Sequence, residues 1–157
     1  MRLALFAIGL AISGPVAAQD FGQPAEERTA QDELPKSKDA LWATLAEADV
    51  AADYENGLFT IKTTPAIDAL AGTTLTVSGF MVPLDVEENI SHFLIARNTP
   101  VCPFCPPGEP DEVIEVQCLE SVPSSYDLVT VTGIFKLIDN GDQGLFFQLK
   151  DARVKGD

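Results

Sequence analysis

From residue 74 onward the chain alternates in the rhythm of β-strands, and this constrains its fold more than any other feature. The segments "TLTVSGFMVPL" (74–84), "HFLIAR" (92–97), "EVIEVQCL" (112–119), "LVTVTGIFKLI" (128–138) and "LFFQLKDARV" (145–154) are rich in β-branched and aromatic residues with a period near two. No helical pattern separates most of them, and "NGDQG" supplies a turn before the last. Gly79 and Gly133 stand in the middle of two long strands, where a missing side chain permits a bulge or bend and lets a small sheet coil sharply. Five such strands predict a mainly β fold, a small five-stranded OB-like barrel, with a β-sandwich as the alternative.

The residues before the strands predict one or two short helices. In "KDALWATLAEADV", Leu41, Trp42, Leu45 and Val50 fall near helical spacing, giving a helix over 38–48 with Trp42 against the core. "LFTIKTT" reads as a short strand. "TPAIDALAG" offers Thr64 as N-cap, Pro65 at the first helical position and Gly72 as the stop.

The N-terminus, "MRLALFAIGLAISGPVAAQD", joins one basic residue to a short apolar run and a small-residue end. This is the pattern of a removed secretory signal, residues 1–18, cut after Ala18 and before Gln19. The run is too short to span a bilayer comfortably, so no stable membrane insertion is expected once the signal is gone. Residues 19–38, polar and punctuated by proline, read as a flexible leader. Residues 39–157 then form a single OB-like domain in an exported, periplasmic protein.

Charge narrows the partners. Ten basic residues against 24 acidic ones give a net charge of −14, and losing the signal removes a further positive charge, Arg2. Such a field repels nucleic acid and anionic lipid. A barrel of this type therefore needs its function argued from a site.

The chain has three cysteines, and two of them sit in "PVCPFCPPGEPDE" (100–112). Thiolates three residues apart can grip one soft ion, zinc or copper(I), and Pro103, Pro106 and Pro107 restrict the loop that carries them. Glu109, Asp111 and Glu112 add oxygen donors or an attracting field. A Cys102–Cys105 disulfide, structural or redox-active, is the rival reading, and two unconnected thiols a third. A thioredoxin-type centre does not fit, because "PPGEP" forbids the helix that would activate the first thiol.

The quoted strands and the cysteine–proline loop resemble, over residues 40–154, exported bacterial proteins of domain-of-unknown-function family 3299. The resemblance implies an exported OB-like barrel. It implies metal handling only through the loop, where many members place a histidine after the cysteine. Cys105 in that second position makes the site softer.

His92, the only histidine, and Cys118 would complete a Cys₃His set on paper. If 92–97 and 113–118 form a hairpin with the loop at its tip, the two lie about 15–20 Å away at its open end. They are expected near each other and apart from the loop, His92 as a strand-edge residue and Cys118 as an inert thiol. One histidine leaves little for general base chemistry, and no catalytic residues are assigned. The expectation is a non-enzymatic metal-binding or metal-trafficking accessory on Cys102 and Cys105. Its partner would be a metal transporter component or another periplasmic protein. The alternatives are a protein-binding adaptor with a disulfide-rigidified loop and a thiol redox protein.

Overall fold

A computed structural model describes residues 25–53, 55–101 and 107–156. The proposed signal, its cut, Cys102 and Cys105 lie outside the described residues.

Each of the five expected strands is present: β3 (Thr74–Pro83), β4 (Asn89–Ala96), β5 (Val113–Pro123), β6 (Leu128–Asn140) and β7 (Leu145–Val154). Their hydrogen bonds form a ring in the order β3-β4-β5-β7-β6, with β6 returning to β3. Every pairing is antiparallel except β5 with β7. This is the mainly β, OB-like arrangement expected.

The glycines act as the pattern predicted. Gly133 lies where the β6–β7 register shifts between Thr132 and Ile134. A Cβ there would stand 3.0 Å from the Lys150 carbonyl oxygen and 3.1 Å from the Ala152 Cβ. At Gly79 the neighbours are the Ala96 carbonyl oxygen at 3.0 Å and the Trp42 ring at 3.1 Å. Just past it, at Phe80, β3 passes from β6 to β4.

Alternate residues of the five strands fill the barrel. Val77, Phe93, Ile95, Ile114, Val116 and Leu149 are fully buried. Phe135 stacks on Phe147 with ring centroids 5.8 Å apart. Apolar burial of this kind supplies the main drive to fold, at roughly 1.5–3 kcal/mol per large side chain. On the outer face Val82, Leu94, Ala96 and Val113 form a smaller cluster with Leu145.

The segments before the barrel differ from expectation in two places. The helix read over 38–48 is shorter: α2 spans Leu41–Leu45, and β1 (Asp49–Asp53) follows, paired with β2 (Leu58–Lys62). The turn between these strands explains the early end. Asp53 Oδ1 accepts from the Glu55 and Asn56 amides, and Gly57 takes a left-handed φ of 67°. A hairpin closed this way outcompetes further helix. Trp42 is buried as expected, its indole N–H donating to the Ser78 carbonyl at 2.8 Å. In α3 (Pro65–Asp68) Thr64 is the N-cap, accepting from the Ile67 amide, and Gly72 has φ 80°.

The second difference concerns the leader. Residues 25–32 form helix α1 (Ala25–Asp32), and the chain from there to Ser37 packs on the barrel. The expectation of a flexible leader gives way over this stretch. Among the described residues no helix is long and apolar enough to cross a membrane.

Candidate functional site: the stem of the cysteine loop

β4 and β5 form the expected hairpin, with Ala96 opposite Val113 and His92 opposite Gln117. The cysteine–proline loop joins them at the Ala96–Val113 end. Its two stems, up to Val101 and from Pro107, are described.

Both stems are tied by residues that precede the barrel. The buried Gln31 side chain donates through one nitrogen to the carbonyls of Thr99, at 3.0 Å, and Pro107, at 3.1 Å. One amide group therefore links the outgoing and returning strands of the loop. Thr99 donates its hydroxyl to the Pro35 carbonyl at 2.6 Å, Ser37 N–H donates to the Arg97 carbonyl at 2.8 Å, and Lys36 bridges Asn98.

Glu112 is the charged centre of this stem. Pro110–Glu112 is a single 3₁₀ turn, closed by a reciprocal cap between Glu109 and Glu112. The Glu112 carboxylate is 2.6 Å from the Arg28 guanidinium and 3.6 Å from that of Arg97. It also accepts the Glu109 amide at 3.2 Å. Gly108 leaves room for it, since a Cβ there would meet Glu112 Oε2 at 3.0 Å. Burial pushes the Glu112 carboxyl up, but the Arg28 hydrogen bond, the adjacent Asn98 amide and the Arg28 charge bring it below the usual carboxylate value. Asn98 is fully buried, with neither side-chain amide atom in a well-formed hydrogen bond.

Two further carboxylates lie at the returning stem. Burial raises both Glu109 and Asp111. They line one side of a groove of about 500 Å³, with Asp49, Val50 and Phe59 among the residues opposite. An apolar recess of about 310 Å³ adjoins it, lined in part by Leu94, Pro107, Pro110 and Val113. The loop is thus rooted between a negatively charged groove and an apolar recess.

The other two candidate ligands are elsewhere. His92 is half-exposed and sits 2.6 Å from Glu115, whose second oxygen accepts from Gln148 at 2.6 Å. Cys118 is a free thiol, half-buried against the main core, and burial raises its pKa. His92 pairs with Gln117, one residue before Cys118, so the two are close along the strands as expected, but their side chains take opposite faces. His92 lies outside the barrel on Glu115, while Cys118 packs against the core and pairs with Ala152 on β7. Alternation along β5 sends neighbouring residues to opposite faces. Four residues of β4 separate His92 from the loop end of the ladder, roughly 13 Å. Among the described residues no three His, Cys, Asp or Glu side chains gather as a metal-holding group.

Sequence patterning passed over Arg28, Gln31 and Arg97, and read Glu112 as an oxygen donor or attracting charge beside the cysteines, not as the partner of Arg28. One signal was available: "AEERTAQD" consists largely of helix formers, with Glu26 and Glu27 in the first turn.

The architecture defines a class, a closed OB-like barrel whose β4–β5 loop is rooted by a helix from outside the ring. The family model "Protein of unknown function (DUF3299)" matches residues 19–146. The chain belongs to this family. The chain is also similar to the crystal structure of a DUF3299 family protein from Pseudomonas aeruginosa, at 18% identity, 91% coverage of each chain and a TM-score of 0.49. No curated protein matches the chain.

Proposed function

We propose that the protein is an exported, non-enzymatic accessory that holds a soft metal ion, zinc or copper(I), on Cys102 and Cys105. The observation that carries this reading is the tie across the loop stem. Gln31 bonds both Thr99 and Pro107, which ties together the two stems that flank the cysteine-bearing segment. A chelate closes at lower entropic cost on a restrained loop. Two thiolates leave the coordination of zinc incomplete, which suits a carrier that passes its ion on. His92 and Cys118 have no part in the site.

Elemental analysis of protein purified without oxygen tests the proposal. Zinc or copper should accompany the chain and be lost in the Cys102→Ser, Cys105→Ser double variant. No bound metal, with metal affinity unchanged in that variant, overturns it.

A second reading, an adaptor whose loop is rigidified by a Cys102–Cys105 disulfide, is favoured by exposed apolar side chains at the far end of the barrel. Mass spectrometry under non-reducing conditions separates the two. A stoichiometric Cys102–Cys105 bond in freshly isolated protein supports the adaptor.

A further inference from the structure

The barrel end remote from the cysteine loop is built differently from the rest of the surface. It opens into a cavity of about 740 Å³ whose lining includes Met81, Val122, Val129 and Val154, all packed on the main core. Strand pairing gathers three chain segments around this mouth. Phe80 pairs with Leu128, the Met81 amide donates to the Asp127 carbonyl, and the Ser124 amide donates to the Glu88 carbonyl.

Large apolar side chains on these segments face solvent. Leu84 is 46% exposed, Tyr126 50% and Leu128 53%, while Val86 is entirely uncovered. Contiguous exposure of this kind marks a contact surface. Exposed Asp85, Glu87, Glu88 and Asp127 alternate with these apolar groups. None of the four carboxylates has a salt bridge among the described residues.

Charge selects the occupant. An anionic bilayer would be repelled by four carboxylates set against Lys155 in the cavity lining, and a second copy would bring two such acidic rims together. The chain's own residues 19–24, QDFGQP, carry an acid and no base, so they do not complement this rim. A basic partner with an apolar anchor meets both features at once.

We propose that this mouth docks a basic protein segment. One large apolar side chain enters the cavity, and flanking Lys or Arg side chains meet Asp85, Glu87, Glu88 and Asp127. The proposal stands independently of what Cys102 and Cys105 hold.

The test is a titration of the ¹⁵N-labelled protein with the amidated peptide KKLFKK, beside KKSSKK and EELFEE. Saturable shifts centred on Met81, Val122, Leu128 and Val154 are expected with KKLFKK alone, weakening as salt is added. Leu128→Lys should lower the affinity by about tenfold or more. The double variant Glu87→Lys, Glu88→Lys, altered only in an exposed loop, should do the same and guards against misfolding of the first. Equal binding of KKSSKK or EELFEE, shifts spread over other acidic surface, or no saturable shift overturns the proposal. Self-association in sedimentation that Leu128→Lys abolishes would assign the mouth to a second copy and overturn it as well.

Discussion

The two ends of this barrel solve the problem of an open rim in opposite ways. At the loop end, α1 and the chain to Ser37 lie across the stems. Their polar groups are largely matched there: Gln31 to two carbonyls, Glu112 to Arg28, Ser37 to Arg97. At the mouth no helix covers the rim among the described residues, and Leu84, Val86, Tyr126 and Leu128 meet water. A rim organised by buried polar bonds holds one geometry, because breaking any of them strands a desolvated group. A rim of exposed apolar groups has no such requirement and gains only when something covers it. The first end is built to position its own loop, the second to receive something else.

The contrast can be broken most forcefully from beneath the clamp. Trp42 fills the space under Gly79, and α2 packs against the Pro110–Glu112 turn. Trp42→Ala should cost about 3–5 kcal/mol, read as a lower urea midpoint.

A smaller effect, local to the stem, is expected from Glu112→Gln. At neutral pH it should cost about 1–3 kcal/mol, since the charged partner of Arg28 is lost. The sign of its pH dependence follows from a folded-state pKa below the ordinary 4.5. The stability that the carboxylate contributes is complete above 4.5 and disappears as pH falls through the folded value. Wild type and Glu112→Gln should therefore converge in acid. Hydrogen exchange should quicken at the Arg97 amide and not at the Met81 amide. Equal quickening at both ends would show that the two rims are one cooperative unit.

The smallest effect belongs to the mouth. Leu128→Ser should change stability by no more than about 0.5 kcal/mol, because a half-exposed side chain loses little burial. A large loss in the same urea assay would mean that this rim is structural after all.

Much of the barrel was legible because strand alternation is a local signal. The segments 74–84 and 128–138 carried both the period of two and the glycines where β3 bends and the β6–β7 register shifts. Thr64, Pro65 and Gly72 spelled out α3 for the same reason. What escaped was decided at long range. Nothing near Gln31 announces that its partners are Thr99 and Pro107, and polar composition made the stretch look unstructured. β1 was hidden because "DVAAD" is short, half-exposed and weak in β propensity, so it depends on its pairing with β2. The proposed chelating pair, Cys102 and Cys105, rests on spacing alone, which gives identity and separation but no direction for either sulfur.

The position of β7 between β5 and β6 has a consequence for how the molecule comes into being. Its parallel partner, β5, is completed long before it, so the ring has a vacant seam until the last strand arrives. Pairings of such large sequence separation form late and slowly. A chain emerging from its N-terminus cannot shut its barrel until Val154 is released, and it stays threadable for as long as it is being made.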